Sequence, residues 1–167
     1  GLEETRIAAS TAGREAEALR VMALLFRADG KPDEAVTALE RATVASPDNA
    51  EAHLELGRAY ESARRYTEAE KAYQRAIFLR PGWWVDHLRL AFLYQRQGRY
   101  EAAATQFRLV IDTAPRNRVG YTNLARVLFN LGQRAEARDL LEQSLSIEPT
   151  YTAYSNLGVL YFEDSRF

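Results

Sequence analysis

Four prolines, Pro47, Pro81, Pro115 and Pro149, stand 34 residues apart. A fixed period of that length restricts the fold more than any composition does, because it means one supersecondary unit copied along the chain. Other columns keep the same phase. Ala35, Ala69, Ala103 and Ala137 form one, and Leu39, Tyr73, Phe107 and Leu141 another. Gly30, Gly98 and Gly132 form a third, with Arg64 in the remaining place. Met22-Ala23, Leu56-Gly57, Leu90-Ala91 and Leu124-Ala125 form a fourth.

Each column has a physical reason. Apolar residues recur at helical spacing on both sides of a break, as in Leu56 and Tyr60, then Ala69, Tyr73 and Ala76. The break falls at Ala63-Arg64-Arg65, where the other repeats place a glycine. Glycine just past a helix end takes the left-handed conformation that closes it. Gly57, Ala91, Ala69 and Ala103 are small where two helices must approach closely. The proline then stops the second helix, having no N–H to give and clashing with the preceding turn. Glu34, Glu68 and Glu136 recur in the first turn of the second helices, where negative charge meets the positive end of the helix dipole.

The pattern resembles the tetratricopeptide repeat family over residues 16 to 167. The implied fold is all-α, a right-handed superhelix of antiparallel helix pairs. Four repeats (16–49, 50–83, 84–117 and 118–150) are followed by half of a fifth (151–167). The fourth is one residue short. The fifth carries Tyr154, Leu157, Gly158 and Tyr161 in phase. Such a repeat buries its apolar face only against its neighbours. Residues 1–15 fall outside the phase; Leu2, Ile7 and Ala8 suit a short capping helix or a frayed terminus. The apolar last stretch, with Leu157, Val159, Leu160 and Phe162, reads as part of a longer array and as a surface for self-association.

The resemblance further implies that the first helix of each repeat lines a concave groove. Among the inward positions are Glu55 and Arg58 in the second repeat; Arg89, Phe92, Gln95 and Arg96 in the third; Asn123, Arg126, Phe129 and Asn130 in the fourth; and Asn156 and Val159 in the fifth. Asn123 and Asn156 share one position, similar to the asparagine ladders with which some family members grip a peptide backbone. A side-chain amide offers a donor and an acceptor to any peptide unit. The arginines, with Phe92 and Phe129 beside them, suit a protein or peptide bearing acidic and apolar groups. The family's chaperone-type carboxylate clamp is incomplete here. The bland alternative is a solvated helix face with ordinary ion pairs.

Other classes fare worse. Net charge is −1, without the basic excess that phosphate contacts demand, so nucleic acid is not the expected partner. No apolar run reaches a membrane span's length. Cysteine is absent, and His53 and His87, one repeat apart, lack further ligands at metal spacing. They are expected to be structural histidines, with no metal and no cofactor. Trp83-Trp84 is expected to pack at a repeat junction, or else to anchor a partner. No phosphate loop, nucleophile elbow or zinc signature occurs, so no catalytic residue is assigned and the chain is not expected to be an enzyme. The expected function is a protein-interaction scaffold. The alternatives are a regulatory or self-association segment of a larger enzyme such as a kinase or glycosyltransferase, and RNA recognition by a related helical repeat. A cytoplasmic location is the default.

Overall fold

The computed structural model describes the main chain of residues 2–164 and the side chains of residues 10–162. The described residues fall into α1 (Leu2–Ala28), α2 (Pro32–Ala45), α3 (Ala50–Ser62), α4 (Tyr66–Leu79), α5 (Trp84–Arg96), α6 (Tyr100–Thr113), α7 (Arg118–Asn130), α8 (Arg134–Ile147) and α9 (Tyr151–Asp164), with no strand among them. Two compact units divide the chain, Gly1–Pro81 and Gly82–Phe167.

In the first unit α1 packs on α2, α2 on α3 and α3 on α4. The second repeats the scheme: α5 on α6, α6 on α7, α7 on α8 and α8 on α9, with α7 also touching α9. The predicted leading segment is not a separate helix. α1 is continuous for 27 residues, with no proline between Leu2 and Ala28 and with Gly13 carried inside it; the side chains of Leu2, Ile7 and Ala8 lie outside the described residues.

The turn inside each pair is the same hydrogen-bonded closure four times. The N–H of Lys31, Arg65, Arg99 and Gln133 donates to the carbonyl of Phe26, Tyr60, Tyr94 and Leu128, at 2.8 to 2.9 Å. The preceding residue is left-handed in every case: Gly30 at φ 72°, Gly98 at 71°, Gly132 at 77° and Arg64 at 59°. That is a Schellman closure, which satisfies carbonyls the helix end would otherwise orphan. Arg64 adopts it without glycine's freedom.

Three of the first helices, α3, α7 and α9, are capped by a side chain of the link that precedes them. Asn49 Oδ1 accepts from the Ala52 N–H at 3.1 Å, and Asn117 Oδ1 from Val119 N–H at 3.1 Å. Thr150 Oγ1 does the same for Ala153 N–H at 3.3 Å, so the shortened link before α9 still caps it. Second helices end two residues before Pro47, Pro81, Pro115 and Pro149.

The column residues make the core. Ala35, Ala69, Ala103 and Ala137 are wholly buried, as are Leu39, Tyr73, Phe107 and Leu141. A Cβ on Gly57 would fall into the Tyr73 ring, 2.5 Å from Cδ1 and 3.0 Å from Cζ. Where this position is alanine, as Ala91 and Ala125, it lies in the repeat whose second helix carries Phe107 or Leu141 instead. Two tyrosines tie helix to helix through carboxylates: Tyr60 Oη donates to Glu40 Oε1 and Tyr73 Oη to Glu61 Oε2, each at 2.6 Å. Burial first, then the bond to Glu40, pushes the Tyr60 phenol up to about 12. The first-turn Glu68 is held below the usual carboxylate range by its own backbone N–H, then by Arg65.

Candidate functional site: the faces of the first helices

The groove positions divide between the two compact units. In the first unit, Glu55 is buried and its carboxylate is already engaged. Arg20 of α1 forks onto it, Nε to Oε2 at 2.9 Å and Nη2 to Oε1 at 3.2 Å, while Nη1 holds Glu17 at 2.7 Å. The Glu55 hydrogen bond leads the forces that raise the Arg20 pKa. Charge-assisted forks of this kind are strong and directional. Glu55 is therefore placed as the internal partner of an arginine on the neighbouring first helix. Arg58 lies half-buried on the same helix.

In the second unit, Phe92 turns its ring edge onto the core ring of Phe107, with centroids 5.5 Å apart and planes at 78°. Half-buried Arg89 has its Nε out of solvent with no hydrogen-bond partner among the described residues. Arg96 is exposed at the end of α5.

The fourth and fifth repeats bring four of the expected residues together. Arg126, Phe129 and Asn130 of α7 and Asn156 of α9 line one pocket of about 280 Å³. Its floor is Ala125, Leu141 and Leu160, and Val159 completes the wall. Asn123 sits beside it and anchors Arg126: its Oδ1 accepts from Arg126 Nη2 while its own Nδ2 donates to Val119 O at 2.8 Å. Arg126 Nη2 also reaches Gln95 Oε1 at 3.2 Å. Both acceptors are neutral amides, so the guanidinium is held in place without its charge being cancelled. On the Phe129 ring, Arg134 Cζ lies 5.9 Å from the centroid.

Asn123 and Asn156 share a register position, but the Asn123 amide already bonds within α7, both as donor to its backbone and as acceptor from Arg126. Ala125 and Leu141 were absent from the expected groove, since apolar residues at repeat positions read as core; Leu160 was assigned to a self-association surface, and Val159 was inward by register but carried no binding role. Val159 is 49% exposed. Arg20 was missed because the groove register was assigned only from the second repeat onward.

The histidines bond within their surroundings. His53 Nε2 lies 2.9 Å from Pro47 O, and the next-but-one repeat places Tyr121 Oη on Pro115 O at 3.0 Å. His87 Nδ1 lies 2.9 Å from Gln106 Oε1. Trp83 is the N-cap residue of α5 and is 47% exposed. Among the described residues no group of three or more histidine, cysteine, aspartate or glutamate side chains is placed to hold a metal. No helix there is long and apolar enough to cross a membrane.

Comparison with known proteins places the chain. Family models described as tetratricopeptide repeat match residues 20–82 and 94–158. No curated protein sequence matches it. Among solved structures, a crystal structure of MamA superposes with a TM-score of 0.82 at 21% identity, over 92% of this chain and 84% of that one. MamA from Desulfovibrio magneticus gives 0.82 at 18% identity, over 92% and 87%. PilF from Pseudomonas aeruginosa gives 0.79 at 18%, over 93% and 72%. At such identities the likeness speaks for the fold, an all-α solenoid of helix pairs. Both the matched models and the 34-residue columns lead to one statement: the chain belongs to the tetratricopeptide repeat family.

Proposed function

We propose that this protein is an interaction scaffold that holds a peptide or partner segment against the faces of its first helices. The observation that carries this reading is the pocket of the second unit, where Arg126, Phe129, Asn130 and Asn156 meet on an apolar floor. A concave apolar site with a few convergent polar groups is the ordinary form of a binding site. Arg126 supplies a cationic donor to it and Phe129 an aromatic anchor, and Arg89 adds a second cation on the first helix of the preceding repeat. A partner with acidic and apolar groups fits that chemistry better than nucleic acid, since the chain carries a net charge of −1.

The test is capture from native lysate on the immobilised chain, with an Asn123→Ala/Arg126→Ala version alongside. A specific partner retained by the first and lost by the second, with equal helicity and melting, supports the groove. Equal retention by both places binding elsewhere and refutes it.

A second reading, a self-associating regulatory segment of a larger protein, is favoured by one observation. Tyr154, Tyr161 and Phe162 of α9 are 58%, 51% and 62% exposed. Sedimentation showing only monomer at high concentration counts against it.

A further inference from the structure

The interval between α7 and α9 differs from the interval between α5 and α7 in a way that specifies a ligand. In the earlier interval, two groove positions hold Gln95 and Arg126, which bridge it with a polar contact at 3.2 Å. In the later one, the same two positions hold Phe129 and Val159. The polar bridge is replaced by an apolar pair, and the gap stays open as the pocket of about 280 Å³. That volume is ample for an aliphatic or phenyl side chain, since a closed apolar cavity of about 150 Å³ already takes benzene. Arg126 stands on its rim, fixed by Asn123 and Gln95. No described carboxylate pairs with it.

We propose that this pocket takes one leucine- to phenylalanine-sized side chain of an extended, acidic partner segment, with the carboxylate of an adjacent aspartate or glutamate docking on Arg126. The inference rests on the groove reading above and gives it a specificity. Three features argue for this occupant. The uncancelled charge of Arg126 is complementary to an acidic residue, and a planar guanidinium already held by two amides loses little freedom on meeting a carboxylate. The partly exposed wall residue Val159 is apolar surface that a side chain removes from water. Asn130 and Asn156 on the rim offer amide donors and acceptors to the backbone on either side of the anchored residue.

The experiment uses three fluorescein-labelled probes, short glycine-serine peptides with central Asp-Leu-Asp, Asp-Ala-Asp or Asn-Leu-Asn, titrated with the whole chain by anisotropy. Asp-Leu-Asp binds best, and each of the other two is weaker by about tenfold, the scale of one charge-assisted contact or one buried side chain. Arg126→Gln erases the preference for aspartate over asparagine and keeps that for leucine over alanine. Val159→Asn, at an exposed site that tolerates polarity and without adding charge beside Arg126, does the reverse; Val159→Ser replaces it should that variant melt early. Either preference surviving its own variant overturns the proposal, as does failure of all three probes to bind. Amide shifts separate this from the broader reading. A bound peptide that moves Arg89 and Phe92 but leaves Val159 and Leu160 unmoved refutes the pocket and keeps the groove. One that moves only α2 or α4 refutes both.

Discussion

Replacing Gly57 by alanine tests whether the small-residue column is set by the side chain opposite it. Alanine is the better helix former by about 1 kcal/mol, so an open site would be stabilised. The new methyl, however, would meet the wholly buried Tyr73 ring, 2.5 Å from Cδ1. Overpacking of that kind costs about 1–3 kcal/mol. The balance is a net loss of about 1 kcal/mol, within a range of about 0 to 2. The repeats themselves supply the second perturbation. Leucine stands at the Tyr73 position as Leu39 and Leu141, each in a repeat with alanine at the Gly57 position, Ala23 and Ala125. Tyr73→Leu alone is destabilising, since it opens space over the glycine and forfeits the hydroxyl's bond to Glu61. In that background Gly57→Ala fills the space and becomes stabilising by up to about 1 kcal/mol. Urea unfolding followed by circular dichroism on the four proteins of the cycle gives the coupling, expected at about 1–3 kcal/mol. A Gly57→Ala effect of the same sign and size in both backgrounds would refute the packing argument.

Arg64→Gly should raise stability by about 0.5–1 kcal/mol, since it relieves the one non-glycine left-handed turn among the described residues; an unchanged urea midpoint would show the strain is absent. Arg20→Met should cost about 3 kcal/mol by leaving the buried Glu55 carboxylate without its fork, and Arg20→Met/Glu55→Gln should recover part of it. Tyr60, an acid whose folded pKa of about 12 lies above the ordinary 10.0, contributes stability that is fully present below pH 10.0 and is lost as the pH rises through about 12. Tyr60→Phe should therefore flatten the decline of the urea midpoint across that alkaline window, and an identical decline in both proteins would contradict it.

The fold was legible in the sequence because its determinants are local and repeated. Glycine at a turn, alanine at a crossing and proline after a helix each report a backbone need that a neighbour-only architecture cannot disguise. Arg64 shows the limit of that reading, since the Schellman bonds impose φ 59° whatever residue is there. The site was only partly legible. Register places Glu55, Arg89, Asn123 and Asn156 in one column, yet their fates differ with their neighbours. Glu55 is taken by an arginine 35 residues earlier, and Asn123 by its own helix and Arg126. Periodicity assigns a direction to a side chain; it does not say what already occupies that direction. Ala125 and Leu141 of the pocket floor were passed over for the opposite reason, an apolar residue on a helix being core far more often than pocket.

Within each compact unit the packing described above joins helices adjacent or next-but-one, and this also governs how each unit reaches its fold. Every contact of that kind closes a short loop, so the entropy lost before the first contact forms is small. The folding rate should accordingly be that of a low-contact-order helical protein, in the microsecond to millisecond range. No helix has to wait for a distant partner. Damage should stay similarly local: a lesion in α9 raises the hydrogen-exchange rate of α8 and α7 while the protection of α2 and α3 is kept.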